Sequence, residues 1–260
     1  MKAIWTGSIG FGLVNIPIKM FSAIESSDLD LDMLDESDLS NIKFKRVNEH
    51  TGKEVLWENI VKGFKIEDSY VVLTDEDFES ASPKKSKIIE ISEFVMEKEI
   101  NSLFFEFPYY TAPEKNGEKA YVLLKEALEK TGKVGIGTFI MRSKESLCLV
   151  KPVEEVLVVQ KIRFSEEIRS TDQLHLPKQV GNALEVKMAI ELINQRSGPF
   201  NINKYKDSYS AELMKLIEAK FKGEKTKVSK LKVVHSSSTD LMAQLKASLA
   251  KTTLKKQTKN

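Results

Sequence analysis

Apolar and polar residues alternate from the start of the chain. Ile9, Phe11 and Leu13, then Ile16 and Ile18, fall on every second position, with Gly7, Gly10 and Gly12 interspersed. A period of two marks pleated backbone with one buried face, so the first twenty residues read as a strand bent near Gly12. Short β-type runs follow at Tyr70-Val71-Val72-Leu73-Thr74, Ile88-Ile89-Glu90-Ile91, Val134 to Met141, Leu147 to Val150 and Val156 to Phe164. Together they predict a barrel or a strongly curved sheet.

The period becomes helical in three places. Ala120, Leu123, Leu124, Ala127 and Leu128 recur at i, i+3, i+4, i+7 and i+8, with Gly132 as a stop, and predict a helix packing one stripe on the sheet. Asn182 and Glu185 are spaced as a cap pair ahead of Val186, Ala189, Ile190 and Ile193, and Gly198-Pro199 ends that pattern. Asp207 is placed to cap a second such helix with an apolar stripe of Tyr209, Leu213, Leu216, Ile217 and Phe221, ended by Gly223. The chain therefore divides into a β-rich part over 1–177, a helical region over 178–223 and a tail over 224–260. The tail holds a linker with Ser236-Ser237-Ser238, a weak amphipathic helix at Leu241, Met242, Leu245 and Leu249, and a polar end expected to be disordered.

Charge is distributed unevenly. The net charge is +2, but the stretch from Lys220 to Asn260 has eleven lysines against two acids, a charge of +9, so the remainder carries −7. Residues Glu25 to Asp38 contain seven acids and neither Lys nor Arg, which suits a solvated connection. If an acidic body binds nucleic acid, its cations must gather on one face. Cys148 is the sole cysteine, so an intrachain disulfide is excluded and a reducing cytoplasm fits best. The N-terminus lacks the long apolar run of a signal peptide, and no stretch approaches the roughly 18 apolar residues of a membrane span.

Catalytic chemistry finds little support. His50 reads as solvated in a Glu-His-Thr-Gly turn, His235 as solvated in the basic linker, and His175 as a half-buried strand residue. None has the setting of a catalytic base. Cys148, between two leucines, reads as a small core hydrophobe. Gly7, Gly10 and Gly12, like Gly132, Gly135 and Gly137, are spaced GxxGxG, which matches neither common phosphate-loop pattern and fits bends and close strand packing. Asp75-Glu76-Asp77 reads as the acidic first turn of a helix rather than a metal or acid/base pair.

Basic clusters are more suggestive. Lys43, Lys45 and Arg46 flank Phe44 and are followed by Lys53, Lys62 and Lys65; Lys84, Lys85 and Lys87 follow Pro83; Arg142 and Lys144 close a strand. Each is a candidate phosphate contact, although such a cluster taken alone is more often an ordinary solvated face.

The opening, Ala3-Ile4-Trp5-Thr6-Gly7-Ser8-Ile9-Gly10-Phe11-Gly12-Leu13-Val14-Asn15-Ile16-Pro17-Ile18-Lys19, closely resembles that of bacterial Ku proteins. The likeness continues in order through Gly52-Lys53-Glu54-Val55, Ile60-Val61-Lys62-Gly63-Phe64, Val71 to Phe78, Pro108-Tyr109-Tyr110-Thr111-Ala112-Pro113, Gly117 to Tyr121, Gly135-Ile136-Gly137 and Tyr205 to Tyr209, and reaches Glu218-Ala219-Lys220. The resemblance implies a mixed β/α fold: a β-barrel core whose long arms form a ring in the homodimer, followed by C-terminal helices. It implies a non-enzymatic, nucleoid-associated protein, without cofactor or membrane contact, that binds double-stranded DNA ends in non-homologous end joining. The partner it implies is an ATP-dependent DNA ligase, with Tyr205, Tyr209, Leu213 and Leu216 in the segment similar to the family's ligase-recruiting part; local core is the other reading of that apolar stripe. Many relatives place a cysteine pair where this chain has Asn48 and Thr51, so a zinc-supported loop is not expected here. The reading from another class is a β-barrel protein-interaction scaffold with incidental DNA contact.

Overall fold

The structure, a computed structural model, describes residues 1–81, 87–141, 144–177, 182–224, 244–246 and 248. The chain falls into two compact units, Met1–Ser170 and Thr171–Asn260. Lys84, Lys85, Arg142, His235 and the tail helix expected at Leu241, Met242 and Leu249 lie outside the described residues.

In the first unit, nine strands form among the described residues: β1 (Trp5–Phe11), β2 (Val14–Ser22), β3 (Lys62–Ile66), β4 (Ser69–Leu73), β5 (Ile88–Met96), β6 (Phe105–Pro113), β7 (Lys133–Met141), β8 (Lys144–Val153) and β9 (Val156–Ile162). Seven close into a barrel in the order β1-β2-β6-β9-β8-β7-β5, sealed by a parallel β1–β5 pairing that sets Ser8 against Ile88. The separate pair β3–β4 stands outside it.

The opening segment is two strands rather than one bent strand. β1 and β2 pair antiparallel from Trp5↔Met20 to Phe11↔Val14, which leaves Gly12 and Leu13 as the turn. Gly12 has φ +56°, a left-handed conformation that a glycine adopts without strain. Leu13, in phase with the buried positions, is fully exposed at the tip. Alternation fills the interior as expected: Ile9, Ile16, Ile18, Met20, Ile89, Ile91, Phe139, Cys148, Val150, Leu157 and Val159 form one buried cluster. Trp5 packs edge-on against Phe139 and donates its indole N–H to the Ile140 carbonyl at 3.1 Å. A Cβ added at Gly137 would collide with the Glu90 carbonyl, so close packing of β5 on β7 requires glycine there.

Among the described residues two α-helices belong to this unit, α1 (Asp75–Ala81) and α2 (Glu118–Thr131). α2 ends at Gly132 with φ +65°, whose N–H bonds the Leu128 carbonyl. Its buried stripe is Tyr121, Leu124 and Leu128, whereas Leu123 and Ala127 from the predicted stripe face outward. Leu123 is turned about 100° around the helix from Leu124 and falls outside the narrower stripe that the barrel covers. Tyr121 fixes α2 to the barrel. Its hydroxyl donates to the Thr111 carbonyl at 2.9 Å and accepts from the Leu157 N–H at 2.6 Å, and the Thr111 hydroxyl donates to the Leu157 carbonyl at 2.7 Å. All three residues are buried. Tyr121→Phe strands the Leu157 N–H without its partner and is expected to cost about 1–3 kcal/mol in urea unfolding.

The second unit holds α3 (Ala183–Arg196) and α4 (Ser208–Phe221). The Asn182 and Glu185 pair closes a reciprocal cap on α3, and the Asp207 carboxylate accepts from the N–H groups of Tyr209 and Ser210 at the start of α4. Met188, Ala189 and Leu192 are half-buried on α3, while Val186, Ile190 and Ile193, which carried the predicted periodicity, are exposed. His175 is exposed and outside any strand, because β9 has already ended at Ile162.

Candidate nucleic-acid interface

Between β2 and β5 the chain leaves the barrel as one long insertion, residues 23–87. Both of its ends lie at the same end of the barrel. β2 finishes beside Trp5, where β1 begins, and β5 enters parallel to β1, with the Ser8 N–H bonded to the Lys87 carbonyl at 2.8 Å. Register carries Lys144 to that end too. β5 and β7 run Glu90↔Thr138, β7 and β8 run Met141↔Lys144, and so the start of β5, the end of β7 and the start of β8 meet there. Lys87, Lys144 and both roots of the insertion are thereby gathered at one end, by strand pairing alone.

Within the insertion the polar sequence builds local turns rather than a core. Asn48 folds a tight loop: its side-chain oxygen accepts from the N–H groups of His50 and Thr51, both at 3.0 Å, and its N–H reaches the Lys53 carbonyl at 2.8 Å. Gly52 completes the turn with φ +65°. Hydrogen bonds thus shape the loop at Asn48 and Thr51. Among the described residues no group of three or more His, Cys, Asp or Glu is arranged to hold a metal ion. The bridge Val47↔Glu54 sets Lys45 against Glu54, and the two form an ion pair at 2.7 Å. The Arg46 guanidinium lies over the Trp57 ring at 4.5 Å.

β3 and β4 form an antiparallel ribbon with Lys62↔Leu73, Phe64↔Val71 and Ile66↔Ser69 on one face and Lys65↔Tyr70 on the other. Lys62 and Lys65 therefore point to opposite sides. The Lys62 ammonium sits 4.7 Å from the centre of the Phe78 ring. Nearly every side chain of the ribbon is exposed, including Phe64 at 65% and Tyr70 at 70%. α1 follows at once, and its Asp77 accepts from the N–H and hydroxyl of Thr74, which in turn accepts from the Asp77 N–H. Those bonds, the backbone one foremost, hold the Asp77 carboxyl below the usual range, as a helix cap and not as an acid/base group.

Of the sequence-predicted cations, Lys43, Lys53, Lys65, Lys87 and Lys144 are exposed and have no acidic partner among the described residues. Two cations at the same barrel end escaped the sequence reading. Lys161 and Arg163 share the carboxylate of Glu106, at 2.7 and 3.5 Å, and Arg163 also donates to the carbonyls of Leu103 and Phe105. They look like strand residues in the sequence, and their geometry binds them to the barrel wall. The residues proposed for partner contact divide in two: Tyr205 and Tyr209 are more than two-thirds exposed, while Leu213 and Leu216 are half-buried. Tyr205 stacks on Phe200 with ring centroids 6.5 Å apart. Burial pushes the Cys148 thiol pKa up, which makes it inert.

Comparison with known proteins follows the same outline. A family model described as the Ku70/Ku80 β-barrel domain matches residues 10–188. A protein of Pseudomonas aeruginosa, named non-homologous end joining protein Ku, is 41% identical over 224 residues, 84% of this chain and 76% of its own. Proteins of the same name from Archaeoglobus fulgidus and Bacillus subtilis are 40% identical over 232 residues and 38% over 257. They cover 88% and 97% of this chain and 92% and 83% of their own lengths. No helix among the described residues is long and apolar enough to cross a membrane.

Proposed function

This chain belongs to the Ku family, and on that premise we propose that it binds ends of double-stranded DNA as a homodimeric ring in non-homologous end joining, without catalysis of its own. The observation that carries the reading is the insertion. It leaves and rejoins the barrel at one end, carries exposed cations without an acidic partner among the described residues, and presents a two-stranded ribbon with apolar side chains exposed on both faces. Such a ribbon is marginal in water by itself, and pairing with the same ribbon of a second copy supplies the missing cover. Two insertions joined through the Phe64 face in this way enclose a space lined by Lys43, Lys53, Lys65, Lys87 and Lys144, with Lys62 on the paired face and Lys84, Lys85 and Arg142 adjoining the others in sequence.

Cations that meet backbone phosphate position the duplex without reading its sequence. The enclosed geometry makes a free end the only entry. In the second unit, the exposed Tyr205 and Tyr209 provide the surface through which an ATP-dependent DNA ligase is recruited, while Leu213 and Leu216 hold the helix in place.

The test is binding to one duplex sequence as a linear fragment and as a closed circle, at two salt concentrations. The expected result is preference for the linear form, weakening as salt rises. Equal binding to both forms overturns the ring and favours a protein-interaction scaffold.

A further inference from the structure

Trp57 and Arg46 form a feature that phosphate binding leaves unexplained. The Val55 N–H bonds the Arg46 carbonyl at 2.8 Å, and the bridge Val47↔Glu54 aligns the two segments. A short turn over Trp57–Asn59, closed by the Ile60 N–H on the Trp57 carbonyl, fixes the backbone at the indole. One side of the ring carries the Arg46 guanidinium at 4.5 Å, yet Trp57 remains 72% exposed. Phe44, two positions before Arg46, is 80% exposed, and Lys43 and Lys53 have no acidic partner among the described residues. The chain thus holds a large exposed π surface, backed by a cation, with Lys43 and Lys53 exposed nearby in the sequence.

We infer that Trp57, braced by Arg46, is a stacking platform for an unpaired base of a single-stranded tail at a DNA terminus, with Lys43 and Lys53 on the adjoining phosphates. Bases inside a duplex already stack on one another, so an indole gains access to them only by unstacking a step. An unpaired base offers its face freely, and stacking on an aromatic ring is tolerant of base identity because every base has a π face. The inference rests on the DNA-end reading above and extends it: the ring accepts any end, and this loop distinguishes tailed from blunt ones.

The experiment uses the full chain and two probes, a blunt duplex and the same duplex with a single-stranded thymidine tail. Of the two tryptophans in the chain, Trp5 is half-buried and hydrogen-bonded in the barrel, so a change on tail binding reports on Trp57. The tailed probe is expected to quench tryptophan emission more than the blunt one. Trp57→Leu is expected to abolish the difference, weaken tailed-duplex binding about tenfold and leave blunt-duplex binding unchanged. Equal quenching by both probes overturns the inference, as does unchanged affinity of Trp57→Leu for the tailed probe. So does loss of the dimer in Trp57→Leu, which places the indole at a subunit contact. If the unsubstituted protein binds neither probe, the DNA-end reading itself fails, and the platform with it.

Discussion

A chain carrying Phe64→Glu and Val71→Glu is expected to run as a folded monomer that no longer distinguishes linear from circular duplex. The two residues are a cross-strand pair on one face of the β3–β4 ribbon, 65% and 47% exposed. They contribute nothing to the barrel core, so the melting transition of the barrel stays in place. Burying a side chain of this kind contributes about 1.5–3 kcal/mol. In a symmetric pairing each substitution acts twice, so the dimer loses at least about 6 kcal/mol, roughly four powers of ten in its dissociation constant. Sedimentation across a concentration series measures it. A dimer that persists, with linear preference intact, removes the ribbon from the subunit contact.

Charge reversal at Lys53, Lys65, Lys87 and Lys144 addresses the other half of the proposal. Removing one lysine–phosphate pair lowers the slope of log affinity against log salt by about 0.9, so removing four from each of two protomers lowers it by about 7. Affinity for linear duplex is expected to fall on the order of a thousandfold or more at moderate salt. Lys45→Glu alone is the informative control. Its ammonium is already engaged by Glu54 at 2.7 Å, so the change disturbs a local ion pair and moves the slope little. A quadruple variant with an unaltered slope places the phosphates elsewhere.

The barrel was legible wherever strands bury one face. Ile9, Ile16, Ile18, Val150 and Val159 alternate because the interior takes every second residue, and the sequence shows that period directly. β6 was not legible. Its Pro108 and Pro113 argue against a strand, yet Pro108 sits beside a register shift in the β6–β9 pairing and Pro113 closes the strand. β3 was missed for another reason: Lys62-Gly63-Phe64-Lys65-Ile66 buries nothing within the chain, so no hydrophobic period imposes itself.

The candidate site was legible as a list of cations and not as a surface. Sequence distance hides that Lys87 and Lys144 come to one barrel end through β5, β7 and β8, and that the charge of Lys45 is engaged nine residues away by Glu54. The family resemblance pointed to the region, whereas strand register and ion pairing decided which members remain free.

Both ends of the insertion are tied to strands that flank β1 on either side. Neighbouring strands stand about 4.8 Å apart and a strand rises about 3.3 Å per residue, so the roots of the insertion are held about 10 Å apart across the sheet and about 17 Å along it, whatever its length. Doubling such an excursion adds only about 0.6 kcal/mol of closure entropy. The barrel is therefore a fixed clamp and the insertion an adjustable strap. Residues can be added or removed along it to change the bore of the proposed ring, while the strands that hold it keep their register and their fold.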